Sequence, residues 1–460
     1  MVGYLFLTIL TLTAVAFLIG RQTGRALAIA APPGGAHSLP AYHGAFMAIW
    51  VGIPAIVLLL AFVAIRGSVI DALIWAGLPD TITTGATAAQ KALVLSEIEN
   101  VAAGQIFRQP SPEIAAAAEA LLRWHDLFET TVFVVALALM IIGLFFARRR
   151  LGLRFRARNI VERFLDGFMI ACAVVAVLTT AGIVVSLVYE ASAFFRLVPI
   201  FDFFLGLRWE PQIAIRADQV ASQGAFGAIP VFLGTLLIAS IAMLVAVPIG
   251  LFTAIYLSEY ATRRVRGLVK PALEILAGVP TVVYGFFAVL TVAPAIRSAG
   301  SLFGIATSPN SALAAGLVMG IMIIPFISSL SDDAINAVPR TLRDGSLAMG
   351  ATRAETMTRV LLPAALPGIM GGVLLALSRA IGETMIVVMA AGLIASLTIN
   401  PLDSVTTVTV QIVTLLTGDT EFNSPKTLAA FALGLVLFAV TLCLNVVALR
   451  IVRKYREAYE

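Results

Sequence analysis

Nine apolar segments dominate this sequence, and each is long enough to cross a lipid bilayer as a helix. The hydrocarbon core takes roughly 20 apolar residues, and a helix pairs its own backbone amides where water is absent. The segments lie near residues 2–20, 44–65, 129–147, 168–189, 228–257, 275–295, 312–330, 368–394 and 427–449. Because 60% of the chain is apolar and only 12% is charged, a water-soluble domain is excluded. The sequence therefore predicts an all-α polytopic membrane protein.

Lysine and arginine are concentrated in alternate connections between these segments. The connections rich in positive charge contain Arg21 and Arg25; the run from Arg148 to Arg163; Arg263, Arg264, Arg266 and Lys270; Arg340, Arg343, Arg353 and Arg359; and Arg450, Arg453, Lys454 and Arg456. Positive loops are retained in the cytoplasm, so we expect the N-terminus outside and the C-terminus inside. A cleaved signal peptide is the alternative for the first segment, although its positive flanks follow the apolar run instead of preceding it.

The basic run divides the chain into parts of different organisation. Residues 1–160 form an N-terminal extension with three spans and an outer loop, 66–128, and residues 161–227 contain the fourth span and an outer segment. Residues 228–460 contain the remaining spans and a long inner loop, 331–366. Within the outer loop, Ser111 precedes Pro112, which is typical of a helix start. We therefore expect a small outer helical cap.

The inner loop has an ordered pattern of residues. Asp344-Gly345-Ser346 is followed after three residues by Gly350, and nine residues later by Val360-Leu361-Leu362-Pro363. The glycine favours a break between two helices, and the proline is expected to end the segment where the next span begins. The spacing resembles the EAA loop of ABC importer permeases, a coupling helix that docks on an ATPase. That resemblance assigns ATPase coupling to Asp344, Gly350, Ala351, Leu362 and Pro363. An ordinary amphipathic loop is the alternative.

The eighth span contains two charged residues, Arg379 and Glu383, which are separated by four positions. That separation places them on one helix face, and charges at this depth usually face a bundle interior or a water-filled path. A guanidinium offers donors that match an oxyanion, so we expect Arg379 to bind an anion and Glu383 to neutralise it when the path is empty. A permanent structural ion pair is the alternative.

Several further strings extend the resemblance. Residues 195–449 are similar to the PstC-type permease subunit of the phosphate-specific ABC importer through Arg379-Ala380-Ile381-Gly382-Glu383-Thr384-Met385, Val279-Pro280-Thr281-Val282-Val283-Tyr284-Gly285, Ala254-Ile255-Tyr256-Leu257-Ser258-Glu259-Tyr260 and Trp209-Glu210-Pro211. The family implies a six-helix type I permease core in a bacterial inner membrane, here preceded by three extra spans. It also implies a transport role for Arg379 and Glu383. The implied partners are a second, PstA-like permease, a PstB-like ATPase dimer and an external PstS-like phosphate-binding protein.

No lysine follows a glycine in this chain, so the phosphate-cradling loop of an ATPase is absent. We expect a transport subunit without catalytic residues, metal or cofactor, with ATP bound by a partner chain and no nucleic-acid partner. Proline residues within the predicted spans, Pro248, Pro280 and Pro325, are candidate bends. Three alternatives stay open: a permease for sulfate, molybdate or phosphonate, a secondary transporter in which Glu383 carries a proton, and a phosphate-sensing membrane subunit.

Overall fold

The computed structural model describes residues 2–30, 37–83, 86–105, 110–153, 155–212, 224–417 and 424–456. Arg154, a member of the predicted cytoplasmic basic run, lies outside these residues. The described part has nine helices that are long and apolar enough to cross a membrane, and each overlaps one predicted span. The prediction of an all-α polytopic protein is therefore confirmed. The chain divides into two compact units, Met1–Val177 and Leu178–Glu460, while the boundaries placed at residues 160 and 227 stay a prediction.

The first unit contains five helices and the start of a sixth. They are α1 (Val2–Ala30), α2 (Pro40–Gly77), α3 (Asp80–Thr83), α4 (Ala88–Ala102), α5 (Pro112–Arg150) and α6 (Ala157–Leu197). Glycines let α1 and α2 approach closely, because a Cβ on Gly20 would lie 2.7 Å from the carbonyl oxygen of His43 and one on Gly44 would lie 2.6 Å from that of Phe17. Small residues at such crossings are typical of membrane helices, whose association depends on close packing.

The outer loop of this unit is mostly an extension of its spans, not a separate cap. α2 continues to Gly77, and α5 begins at Pro112 and runs without interruption into the third span. The hydroxyl of Ser111 accepts a hydrogen bond from the amide of Ile114 at 3.4 Å, so the predicted helix start is confirmed. The two extensions and α4 enclose a small apolar core of Ile70, Ile74, Leu78, Ile98, Ala117, Ala118 and Leu121. Propagating an existing helix is easier than nucleating a new one, and the sequence reading missed this continuity.

The described residues of the second unit form the end of α6, a two-stranded ribbon and twelve further helices. The ribbon pairs β1 (Trp209–Glu210) antiparallel with β2 (Ala225–Phe226). The helices are α7 (Ile200–Leu205), α8 (Ile229–Ile255), α9 (Arg263–Ala277), α10 (Thr281–Phe287), α11 (Ala293–Leu302), α12 (Ala312–Asn336), α13 (Arg340–Ala348), α14 (Arg353–Thr356), α15 (Leu362–Ile381), α16 (Met385–Ala390), α17 (Val408–Leu416) and α18 (Pro425–Arg456). Single π turns follow α8 (Tyr256–Tyr260) and join α10 to α11 (Ala288–Val292) and α14 to α15 (Met357–Leu361).

The buried centre of this unit is α12, which packs against α8 and α15. Ala314, Val318, Met319 and Ile323 on α12 are fully buried. Gly320 faces α8, where an added Cβ would lie 3.0 Å from the carbonyl oxygen of Ala242. The close approach of these backbones makes α12 the helix against which the neighbouring spans are positioned.

The sixth predicted span, 275–295, begins too early. α9 ends at Ala277, Gly278 caps it, and a new helix begins after Pro280 and continues through a π turn to Leu302. Proline cannot donate a backbone hydrogen bond and suits a helix start, so Pro280 separates two helices and does not bend one. Pro248 and Pro325, in contrast, lie inside α8 and α12 as expected.

Candidate functional site

The eighth span is broken between Arg379 and Glu383, so these residues do not stack on one helix face. α15 ends at Ile381, Gly382 caps it, and α16 begins at Met385. The Glu383 carboxylate accepts hydrogen bonds from the amides of Met385 at 3.1 Å and Ile386 at 3.5 Å. Glycine has a low helix propensity, and the carboxylate satisfies the first amides of the new helix. Glu383 therefore caps α16, and no ion pair joins it to Arg379 within the described residues.

Arg379 lines a cavity of about 320 Å³ between α9, α12 and α15. The α12 wall of the cavity extends from Met322 to Asp332, and the α9 wall includes Lys270 and Glu274. Among the described residues, no acidic side chain forms an ion pair with the Arg379 guanidinium. Arg379 thus combines a permanent charge with unused hydrogen-bond donors, which is the chemistry that binds an oxyanion.

The register of α12 and α15 shows that Arg379 lies at one end of this cavity. The two helices are antiparallel, because Gly368 faces Ala334 and Gly372 faces Leu330. Continuing that register places Arg379 level with Ile323, beside the Met322 end of the wall. Asp332 is nine residues further along α12, or about 14 Å at the rise of an α-helix. The cavity therefore separates Arg379 from a second charged group.

That second group is a cluster around Asp332, whose side chain is 5% exposed. The Arg266 guanidinium donates to both carboxylate oxygens at 3.1 and 2.9 Å. Lys270 Nζ donates to Oδ2 at 3.1 Å, and the Asn336 side chain donates to Oδ1 at 2.9 Å. Sequence reasoning missed this cluster, although Arg266 and Lys270 are four residues apart on a strongly amphipathic segment and Asp332 ends an apolar one. The spacing of the two cations and the position of the carboxylate could have predicted that Asp332 pairs with both.

The predicted coupling segment contains two helices separated by a glycine. α13 includes Asp344, and its C-cap, Met349, precedes Gly350, which has a φ of +87°. This left-handed conformation is accessible to glycine at little cost. The predicted break between two helices at Gly350 is therefore confirmed. Ala351 follows it, and Thr352 forms a capping box with Glu355 that begins α14. No residue of α13 is buried, which leaves the helix free to contact another protein.

One contact joins α13 to the end of α8, and another joins α13 to α14. Arg343 on α13 forms an ion pair with Glu259 in the π turn after α8. The hydroxyls of Ser346 and Thr356 are hydrogen bonded at 3.0 Å. The ion pair is partly buried, with 30% of the arginine and 12% of the glutamate side chain exposed. A displacement of α13 would therefore act on the end of α8.

Pro363 does not end the coupling segment. The chain is helical from Arg353 to Ile381, with the π turn Met357–Leu361 immediately before α15. A π turn opens the helix by one residue, which accommodates a ring that would otherwise clash with the preceding turn. Leu362 packs with the apolar cluster formed by the ends of α8 and α12. The structure thus places Leu362 and Pro363 in the base of the eighth span.

The chain after α16 returns towards α17 as an irregular segment, residues 391–407, which sequence reasoning assigned partly to the eighth span. Several of its amides and carbonyls are paired with protein: Ser404 donates to the carbonyl of Ala391 at 2.9 Å, and Gln411 donates to that of Leu393 at 3.0 Å. Gln411 is buried and also accepts a hydrogen bond from the Trp209 indole at 2.8 Å. Irregular backbone at membrane depth requires such pairing. The Gln411 side chain supplies part of it.

Comparison with known proteins identifies relatives of both units. A family described as "Phosphate ATP-binding cassette transporter" matches residues 6–179, and one described as "Binding-protein-dependent transport system inner membrane component" matches residues 246–457. The probable ABC transporter permease protein YqgH of Bacillus subtilis is 33% identical over 273 residues, covering 59% of this chain and 84% of the relative. The phosphate transport system permease protein PstC of Mesorhizobium japonicum is 34% identical over 241 residues, covering 48% and 72%.

Another relative, the phosphate transport system permease protein PstC 1 of Mycobacterium tuberculosis, is 34% identical over 278 residues, covering 55% of this chain and 81% of the relative. A solved chain of a bacterial ABC transporter involved in alginate import has a TM-score of 0.44 and 17% identity, covering 65% of this chain and 99% of that one. The structural similarity is too low to bear on the site. The sequence relatives are sufficient: this chain belongs to the binding-protein-dependent transport inner-membrane components, as a PstC-type multi-pass permease.

Proposed function

We propose that this chain is the permease subunit of an ATP-driven importer of inorganic phosphate, with Arg379 as the oxyanion ligand in its path. The proposal depends on one observation. Arg379 lines a cavity, and its guanidinium forms no ion pair with an acidic side chain among the described residues. Relatives named as phosphate transport permeases support the choice of phosphate. The guanidinium offers two parallel donors to one oxyanion, and its charge is retained at any physiological pH.

The expected place of Glu383 in the substrate path stays a prediction, but its side chain does not neutralise Arg379 within the described residues. Its carboxylate is engaged by the first amides of α16 and its carbonyl oxygen accepts a hydrogen bond from Thr409 at 2.9 Å. Glu383 therefore fixes the break between α15 and α16, and it positions the end of α15 that carries Arg379. In this arrangement an arriving anion does not have to displace Glu383 from the guanidinium.

ATP hydrolysis would reach the path through α13. The exposed α13 and the break at Gly350 support docking on an ATPase, with Asp344 and Ala351 at the contact and Leu362 and Pro363 at the base of the moving span. The complete importer would contain a second, PstA-like permease, a PstB-like ATPase dimer and an external PstS-like phosphate-binding protein. The N-terminus would lie outside and the C-terminus in the cytoplasm, as the distribution of positive charge predicts.

Substitution of Arg379 tests the proposal in the assembled complex. Losing a charge-assisted pair of hydrogen bonds costs about 1.5–3 kcal/mol, so we expect Arg379→Ala to lower phosphate uptake by at least tenfold while the complex still assembles. Arg379→Lys, which keeps the charge without the planar fork, should retain part of the uptake. The matched control is Arg297→Ala, because Arg297 is exposed on α11.

Uptake of labelled phosphate by vesicles that contain the complex measures the effect, with sulfate, molybdate and phosphonate as competitors. Normal uptake by an assembled Arg379→Ala complex would refute the role of Arg379. Stimulation of ATP hydrolysis by sulfate, molybdate or phosphonate instead of phosphate would refute the substrate but leave the anion path intact.

A further inference from the structure

The cavity that contains Arg379 has a second cationic group at its other end. Lys270 lines the same cavity, and Arg266 is bonded to Asp332, which lines it as well. The cavity follows α12 from Met322 to Asp332, a distance of about 15 Å along the helix. The distribution of positive charge predicts that the end of α12 with Asp332 faces the cytoplasm. An anion that leaves Arg379 towards the cytoplasm therefore meets Lys270 and Arg266.

The charges around the cavity leave room for one more negative group. Arg266, Lys270 and Arg379 supply three positive charges, and Asp332 and Glu274 supply two negative ones. Of these two carboxylates, only Asp332 is held by ion pairs among the described residues, and both of its partners, Arg266 and Lys270, are about one-third exposed. Lys270 can thus be reached from the cavity that it lines, and Arg266 keeps exposed surface beside the carboxylate that both cations share. A singly charged oxyanion would balance the group.

On the basis of the proposed function, we propose that Lys270 and Arg266 form a second oxyanion site between Arg379 and the cytoplasm, and that Asp332 is the resident counter-ion which the anion displaces. The Lys270 ammonium is a compact charge with three donors on a flexible stem, so it can turn from the carboxylate to a passing anion. Asp332 then takes the cations back when the anion departs.

The competition determines how tightly the second site holds its anion. Asp332 is nearly buried and bonded by three side chains, which makes it a strong local competitor for the same donors. The anion therefore binds weakly at Lys270 and leaves quickly. Without Asp332, the two cations would retain the anion and slow each transport cycle. This role differs from that of a simple tether between α9 and α12, because it predicts effects of opposite sign for Lys270 and Asp332.

Inhibition of transport by phosphate on the cytoplasmic face separates these roles. In vesicles that contain the assembled complex, we expect Lys270→Gln to raise the half-inhibiting phosphate concentration roughly tenfold, the effect of losing one charge-assisted hydrogen bond. Asp332→Asn should lower it several-fold. Arg264→Gln is the matched control, because Arg264 is exposed on α9 and does not line the cavity. A shift in the same direction for Lys270→Gln and Asp332→Asn, or no shift, overturns the second site.

Labelling of the unmodified protein gives an independent result if a variant fails to assemble. Inorganic phosphate should slow the reaction of Lys270 with an amine-reactive reagent in the complex, and the absence of protection overturns the proposal. Vesicles of phosphatidylcholine with and without phosphatidylglycerol separate free phosphate from a lipid headgroup. Protection that requires the anionic lipid also overturns it. If Arg379→Ala abolishes uptake while Lys270 shows no protection, the second site fails and the proposed function stands.

Discussion

The ion pair between Arg343 and Glu259 leads to a sharp prediction about energy coupling. Arg343 lies on α13, and Glu259 lies in the π turn at the end of α8. Replacing Arg343 with alanine removes this connection without altering the exposed face of α13 that would meet the ATPase. We expect the Arg343→Ala complex to assemble and hydrolyse ATP but to transport less phosphate for each ATP consumed.

The magnitude follows from the burial of the pair. Fully exposed pairs contribute about 0–1 kcal/mol, whereas breaking a buried pair costs about 3–5 kcal/mol. With 30% and 12% of the two side chains exposed, an intermediate coupling energy of about 1–2 kcal/mol is reasonable. That energy corresponds to a factor of about 5–30 in the equilibrium between attached and detached α13. Transport per ATP should fall by up to this factor if detached α13 transmits nothing.

A double-mutant cycle isolates the pair from other effects of the substitutions. The cycle compares Arg343→Ala, Glu259→Ala and the double variant, and a charge-exchanged variant, Arg343→Glu with Glu259→Arg, tests recovery. Arg264→Ala is the matched control, because Arg264 is an exposed arginine on α9, outside the surface of α13 that would meet the ATPase. Phosphate uptake and ATP hydrolysis are measured on the same preparation. Additive effects of the two single substitutions, or normal transport per ATP by Arg343→Ala, would refute the coupling role.

Two pairs of glycines make opposite predictions about stability, measured as thermal unfolding of the purified complex. Gly350→Ala should destabilise the complex by about 1 kcal/mol, because a φ of +87° is strained for alanine. Gly345→Ala should stabilise it by up to about 1 kcal/mol, because Gly345 lies within α13 with open space around it. Equal shifts for the two variants would contradict the left-handed conformation of Gly350. Gly234→Ala should destabilise the complex by about 2 kcal/mol or more, because the new Cβ would lie 2.2 Å from the carbonyl oxygen of Thr406. Gly267→Ala, with open space around it, is the control, and tolerance of Gly234→Ala would refute the close packing of α8 on residues 391–407.

The spans and the glycine break could be predicted from sequence because each depends on a local physical requirement. A helix in a bilayer must satisfy its own amides, so the apolar runs located all nine spans. The break at Gly350 needs a conformation that glycine adopts easily, and the spacing around it was sufficient. Ser111 likewise predicted the start of α5, because its hydroxyl accepts a hydrogen bond from the amide of Ile114, only three residues further along the chain.

The break after Ile381 depends on contacts between distant residues, which a single sequence does not reveal. The run from 368 to 394 is apolar enough for one helix, but Glu383 bonds to the amides that follow and its carbonyl bonds to Thr409. The irregular segment 391–407 is stabilised in turn by Gln411. The spacing of Arg379 and Glu383 predicted a shared helix face because that inference assumes an unbroken helix. Asp332 escaped notice for a similar reason, since its partners lie more than 60 residues earlier.

The two groups of ion pairs connect the same two stretches of chain. The π turn with Glu259 leads into α9, which carries Arg266 and Lys270. On the other side, α12 ends just after Asp332 and leads into α13 with Arg343. The first stretch therefore supplies Glu259 to the pair on α13 and two cations to the cluster at the cavity, and the second stretch supplies Arg343 and Asp332.

This arrangement connects α13 to the residues at one end of the cavity. A displacement of α13 pulls on the end of α12 through the short link between Asn336 and Arg340, and on the start of α9 through Glu259. Because Asp332 is held by Arg266 and Lys270 across the same gap, the displacement changes the distance between the carboxylate and its two cations. At the proposed second site, weakening that contact would raise the affinity of the cations for an anion, and restoring it would expel the anion. ATP-driven movement at α13 would then set the occupancy at Lys270 as well as the tilt of the helices.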